Sequence, residues 1–349
     1  MSRGIGEFEP IQELIPEWAA IIVALVTQLG DVWFLAAIVG AVYWFHAKKR
    51  EDAAVIVGLT LAGLSLISAL KHAFALPRPG QPLVAIETLP WLIQPLYEET
   101  AMASGYGFPS GHALMTTIVY VSLARRLSIG TPRRRLVGAT TIVAAVCFSR
   151  VALGVHYLVD VLAGVGAGLA FLLVAERLIA RYPTEPGTVA LSLAIAVSAS
   201  NLVVSGVGPD AVLLLGASLG AFGGWQLVRL GGDVFAVDRP SQAVRPLLVR
   251  GAVASAAFAP LVAALEYLPL FSLPARGGAF GLAFAAFLTI PVVNRSERAS
   301  RTWAALVFWL TMAAIGIRRL LRPSTARRGY VTGRRYVVEL RRWIRAQQS

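Results

Sequence analysis

The fold class predicted for this sequence is all-α, a polytopic membrane helix bundle, and three observations predict it. Of 349 residues, 56% are hydrophobic and only 15% charged, with a mean hydropathy of +0.67, outside the range of soluble domains. Apolar runs long enough to cross a bilayer recur along the chain. The basic residues, which set a net charge of +13, gather in short segments between those runs and in a C-terminal tail. That placement reads as membrane topology and contact with anionic lipid head groups, not nucleic-acid binding. Cys147 is the single cysteine, so no intrachain disulfide or cysteine-cluster metal site is expected.

Taken in order, Ile15 to Leu29 is apolar but proline-led, and Gly30-Asp31 separates it from Val32 to Phe45. An interfacial or re-entrant lead-in followed by a first span is expected there. The basic turn Ala47-Lys48-Lys49-Arg50 belongs in the cytoplasm by the positive-inside rule, so the second span, about Ala53 to Leu76, runs outward. Residues 77 to 108 hold Pro77, Pro79, Pro82, Pro90 and Pro95, and are expected to form a long non-helical connection. The third span, about Gly111 to Leu127, returns to Arg125, Arg126, Arg133, Arg134 and Arg135. Leu136 to about Tyr157 goes outward and Asp160 to about Ala180 comes back, with Gly164 and Gly168 suited to close helix packing in lipid. Further spans are expected near 188 to 204, 209 to 230, 249 to 267 and 277 to 293, with no comparable chemical constellation. Trp303 to Ile317 reads as a further span, yet it leads into a tail with ten arginines between Arg318 and Arg345, so either Trp303 to Leu321 lies in the interface or one of the other spans is miscounted. The total is nine or ten spans.

Depth then brings the polar residues together. Lys71 follows Arg50 by 21 residues, about 32 Å of helix, and Arg150 follows Arg135 by 15, about 22 Å; both reach the outer boundary. Arg78, His112, His156 and Asp160 flank the same face. His156 and Asp160 are four apart, so on a helix the carboxylate holds one imidazole nitrogen while the other faces a substrate. Lys71, Arg78 and Arg150 can neutralise phosphate oxygens. The turn Gly105 to His112 enters a helix, where backbone NH groups and the Ser110 hydroxyl can cradle an anion. His156 as nucleophile and His112 as general acid complete a phosphoryl-transfer site that calls for no metal and no cofactor.

Lys71 to Pro79 (KHAFALPRP), Pro109 to His112 (PSGH) and Ser149 to Asp160 (SRVALGVHYLVD) resemble the three-part signature of the type-2 phosphatidic acid phosphatase superfamily, K-x6-RP, PSGH and SR-x5-H-x3-D. The resemblance covers about residues 20 to 182 and implies a six-helix membrane core. It implies metal-independent hydrolysis through a phosphohistidine on His156, with Asp160 as its partner and His112 as general acid. Lys71, Arg78, Ser110, Gly111 and Arg150 are implied to bind phosphate. Three parts follow: a phosphatase core at 1–182, additional transmembrane helices at 183–321, and a basic tail at 322–349.

The expected function is a multi-pass cell-membrane phosphatase acting at the extracytoplasmic face on a phosphorylated lipid, an isoprenoid diphosphate or a phosphatidic acid-like molecule. A sugar phosphatase of the glucose-6-phosphatase type is the alternative within the enzyme class. A non-enzymatic anion or lipid transporter or scaffold is the alternative outside it; the His156, Asp160 and His112 set speaks for the enzyme, since binding alone needs neither nucleophile nor acid. The expected partners are the lipid substrate and anionic head groups near the tail, without nucleic acid. Oligomeric state is not legible.

Overall fold

The computed structural model describes residues 3–16, 18–46, 49–91, 93–101, 104–236 and 240–293. The chain divides into two compact units, Met1–Thr289 and Ile290–Ser349. The segment Asn294 to Arg298, the expected Trp303–Leu321 helix and the 322–349 tail lie outside the described residues, as do Ala47 and Lys48 of the first basic turn.

Among the described residues there are helices and no strands: α1 (Phe8–Gln12), α2 (Ala19–Gln28), α3 (Val32–Phe45), α4 (Arg50–Phe74), α5 (Gln94–Ala101), α6 (Gly111–Arg126), α7 (Pro132–Ala152), α8 (Leu158–Ala180), α9 (Pro186–Ser205), α10 (Pro209–Phe235), α11 (Pro240–Tyr267) and α12 (Leu273–Val293). Proline opens α7, α9 and α10, a position where its fixed φ suits the helix and its missing N–H costs nothing. Seven of these, α4 and α7 to α12, are long and apolar enough to cross a membrane. The expected lead-in is the ten-residue α2, joined to α3 through a 47° bend, and the pair counts as an eighth span when taken together. α3 alone has 14 residues, about 21 Å, too short to cross. α6 has 16 residues, about 24 Å, and is packed among α4, α7 and α8.

The expectation of a wholly non-helical 77–108 connection is corrected by α5 and by a short 3-10 turn at Ile86–Thr88. Pro95 is the second residue of α5, within the first turn, where a helix tolerates proline.

α4 is the axis of the bundle. Every residue from Ala53 to Gly63 is buried, the burial pattern of a helix enclosed on all sides, and it packs against α9, α6, α10 and α3. Gly58 lets α9 come close, since a Cβ there would stand 2.7 Å from the Ala190 carbonyl carbon. Ser65 and Ser198 hydroxyls meet at 2.7 Å and Ser198 meets Ser218 at 2.9 Å, a polar thread through α4, α9 and α10 of the kind that holds helices together in lipid. Residues on either side of position 182 thus share one packed unit.

At the start of α4, Arg126 contacts Asp52 at 3.3 Å and Glu176 at 2.8 Å, joining α6 and α8. Arg229 contacts Glu51 at 3.0 Å and Glu185 at 2.9 Å, while Arg250 pairs with Glu185 and Asp233. This ion-pair cluster draws charged residues from both halves of the chain together. It lies 20 residues of α4 from Lys71, about 30 Å, the thickness of a hydrocarbon core.

Gly58→Ala should lower the thermal unfolding midpoint in detergent, by the equivalent of about 1–3 kcal/mol for overpacking. Gly138→Ala, where a Cβ meets nothing within 4 Å, should leave the midpoint unchanged or raise it; equal losses would contradict the close α4–α9 approach.

Candidate active site

Three segments distant in sequence meet at the Lys71 end of the bundle. α4 ends on Ala75 in the left-handed conformation (φ 50°), which turns Leu76 to Pro79 across the helix ends. Gly107 N–H donates to Leu76 O at 2.7 Å, and Ser110 N–H donates to Asp160 O at 2.9 Å, so backbone bonds join the first motif to the turn that enters the second, and the second to the third. Gly154 has φ +67°, and a Cβ there would fall 1.6 Å from Gln81 O; only glycine fits this turn. Gly164 lets α8 reach the start of α6, with Ser110 O 2.5 Å from where its Cβ would be, the close packing expected from the sequence.

Lys71, Arg78, Gly111, His112, Arg150 and His156 line one cavity of about 270 Å³, whose walls also include Asp31, Glu99 and the apolar Val32, Leu64, Ile67 and Met115. Of the eight residues singled out from sequence, six therefore line the cavity, while Ser110 and Asp160 stand directly behind it. Arg150 is 1% exposed. Its guanidinium donates to Thr27 Oγ1 at 3.0 Å and to Thr100 O at 3.4 Å, both neutral acceptors. Among the described residues, neither Lys71, Arg78 nor Arg150 makes a salt bridge. A buried cation without a counter-charge is costly, and Arg150 with the half-buried Lys71 and Arg78 around one cavity forms a set that can receive an anion. Ser110 Oγ and the Nε atoms of Arg78 and Arg150 are buried without a hydrogen-bond partner among the described residues, as donors aimed at such an anion would be.

His156 lies in the turn between α7 and α8, not on a helix with Asp160 as expected; Asp160 is the third residue of α8. The pair meets because Asp160 closes a capping box, accepting from Tyr157 N–H at 3.0 Å, which folds the turn back over the helix start. His156 Nδ1 is 3.6 Å from Asp160 Oδ2, and Nε2 is 3.2 Å from Arg78 Nη1. Arginine only donates, so Nε2 is the acceptor and the ring proton sits on Nδ1, facing the carboxylate. The Nε2 lone pair thus points at the cation cluster, where it accepts from Arg78. Burial, then the charges of Arg150, Arg78 and Lys71, hold the His156 imidazole well below its ordinary value, which keeps it neutral and nucleophilic.

Two contacts were not read from the sequence. Arg3 forks onto Asp160, Nε to Oδ1 at 3.1 Å and Nη2 to Oδ2 at 3.3 Å, and donates to Pro77 O at 2.8 Å. Asp31 Oδ1 lies 3.3 Å from His112 Nε2, so the carboxylate at His112 comes from the α2–α3 bend. The available signal for Asp31 was an acidic residue at a break in an apolar run placed at the outer boundary. Arg3 carried no such signal.

Residues 53–184 match the family model of the PAP2 superfamily, a stretch that contains all three motifs. The chain is 29% identical over 144 residues to the lipid A 4'-phosphatase of Porphyromonas gingivalis, covering 39% of this chain and 56% of that protein. It is 31% identical over 132 residues to the decaprenylphosphoryl-5-phosphoribose phosphatase of Mycolicibacterium smegmatis, covering 38% and 62%. The chain therefore spans less than two thirds of each of these relatives. A crystal structure of a transmembrane PAP2-type phosphatidylglycerolphosphate phosphatase from Bacillus subtilis aligns with a TM-score of 0.40 at 26% identity, over 50% of this chain and 85% of that one.

An NMR titration of imidazole-labelled protein, assigned by the signal lost in His156→Gln, should show His156 as the Nδ1–H tautomer, still neutral as pH falls through about 6.5. Because folding favours the neutral ring, its contribution to stability is full above that unfolded value and is lost as pH falls below it. Ordinary titration near 6.5 would contradict the burial argument.

Proposed function

We propose that the protein is a membrane phosphatase of the PAP2 superfamily that hydrolyses a phosphomonoester or diphosphate of a lipid through a phosphohistidine on His156. The observation that carries this reading is the buried Arg150, without a salt bridge among the described residues, on the same cavity as the neutral His156. Lys71, Arg78 and Arg150 would take the phosphoryl oxygens, helped by Ser110 Oγ and the first N–H groups of α6 at Gly111 and His112, which a helix leaves without partners. His156 Nε2 attacks phosphorus; the P–O bond to the leaving group breaks, and His112 gives that oxygen its proton. His112 then takes a proton from water as it attacks the phosphohistidine, releasing phosphate and restoring both rings. Asp160, 3.6 Å from Nδ1, balances the charge on His156 during the first step. The three side-chain cations supply the charge neutralisation that a metal supplies in other phosphoryl transfers, so the donor set asks for no cofactor.

A lipid is favoured over a soluble sugar phosphate by the cavity walls, where Val32, Leu64, Ile67 and Met115 adjoin the cations. The relatives' names, which carry lipid A and a decaprenylphosphoryl group, agree with that class. The extracytoplasmic face of the cell membrane is favoured because Arg125 and Arg126 close α6 at the end opposite His112, with Arg133 to Arg135 beginning α7 just beyond, and basic segments stay inside.

Purified full-length protein should release phosphate from isoprenoid diphosphates or phosphatidic acid-like lipids in preference to glucose 6-phosphate. Release should persist in EDTA and be inhibited by vanadate. His156→Ala should reduce it to background, and Arg150→Ala should lower kcat/KM by roughly 10²- to 10³-fold, the scale of one transition-state donor. Full activity in His156→Ala removes the phosphohistidine.

For topology, an impermeant thiol reagent should label a cysteine placed at the exposed Tyr106 in intact cells, and one at Arg134 only after permeabilisation, in a Cys147→Ser background. Labelling of both from one side would overturn the assignment of faces.

A further inference from the structure

The bend between α2 and α3 packs into the site at several points. Thr27, in the last turn of α2, is the acceptor that holds Arg150 Nη1 at 3.0 Å. Leu29 O accepts from Tyr120 Oη of α6 at 2.8 Å, satisfying a carbonyl that the broken helix frees inside a membrane. Gly30 is pressed against α6 and α7: a Cβ there would lie 2.8 Å from Val146 Cγ1, 3.0 Å from His112 Cδ2 and 3.0 Å from Thr116 Cγ2. Asp31 follows, on the cavity wall, with Oδ1 3.3 Å from His112 Nε2.

The ordinary use of an aspartate at this position is to cap the helix it precedes. Asp31 is the N-cap of α3, in extended conformation (ψ 147°), yet its side chain accepts no hydrogen bond from the first turn. A capping aspartate contributes roughly 0.5–2 kcal/mol through that bond; here the carboxylate is turned to the imidazole instead. The other charged and titratable groups that line the cavity with His112 and Asp31 are Lys71 of α4, Arg78, Glu99 of α5, Arg150 of α7 and His156. An imidazolium among these cations is disfavoured unless an opposite charge stands against the ring, and Asp31 is the carboxylate in contact with it.

We infer that Asp31 is a positioning residue for His112: from the bend between α2 and α3 it orients the ring and stabilises its protonated form, so that His112 can deliver a proton to the leaving oxygen of a poor leaving group. This rests on the phosphatase reading and adds to it a residue outside the three motifs.

The test compares the cost of Asp31→Asn for two phosphate monoesters with matched apolar tails, one releasing an alkanol and the other a phenol. An alkoxide needs the proton as the P–O bond breaks; a phenoxide leaves largely without it. In full-length protein in detergent, Asp31→Asn should lower kcat/KM for the alkyl phosphate by about 10- to 100-fold, part of the roughly 10²- to 10⁴-fold that a positioned general acid contributes. For the aryl phosphate the loss should stay within about threefold, and Asp31→Glu should recover part of the alkyl activity. Equal losses for both esters would assign Asp31 to folding or phosphate binding and overturn the inference while leaving the phosphatase reading intact, as would no loss for either. Failure of the unsubstituted protein to release phosphate from any ester would overturn the phosphatase reading, and this inference with it.

Discussion

The constraint on which the rest of this structure depends is the price of keeping Lys71, Arg78 and Arg150 together at one end of an apolar bundle. None of them has a salt bridge of its own among the described residues. Coulomb repulsion between them is only weakly screened away from bulk water, so the fold must impose their proximity. It does so by anchoring each on a different element: Lys71 on the last turn of α4, Arg78 on the crossing strand of chain after Ala75, and Arg150 near the end of α7. Neutral acceptors, Thr27 Oγ1 and the carbonyls of Thr100 and Val155, hold the guanidinium groups in place without cancelling their charge. The unspent attraction is what remains available to an anion.

Backbone contacts, more than side chains, hold the parts of the site in register. The Gly107–Leu76 and Ser110–Asp160 main-chain bonds tie the three motifs into one network, and Gly154 and Gly164 allow approaches that a Cβ would block. Asp160 belongs to both levels. It caps α8, receives Arg3 and faces His156, so the carboxylate beside His156 also starts the following helix.

Much of this was legible in the sequence because depth in a membrane is nearly one-dimensional. Counting 1.5 Å per residue from basic turns placed Lys71, Arg150, His112 and His156 at one face, and the cavity brings all four together. The legible part fails where position depends on local backbone shape or on long-range contact. A four-residue spacing does not distinguish a helix face from a capping box, so the His156–Asp160 geometry was misread. Prolines argued against helix in 77–108, yet Pro95 fits the first turn of α5. The Arg229, Glu185 and Glu51 cluster joins residues whose separation in sequence reaches 178, and no periodicity reports such a meeting.

One consequence follows from the enclosure of α4. The helix that carries Lys71 is wrapped on another side by α9 and α10, through the Gly58–Ala190 approach and the Ser65–Ser198–Ser218 thread. The segment defined by recognisable motifs and the segment able to fold are therefore different lengths of chain. Cut after residue 182, the chain would keep all three motifs and lose the wall that α4 leans on. The later helices, whatever else they do, are scaffolding inherited by the site, and modularity in this protein is a property of its sequence signature and not of its architecture.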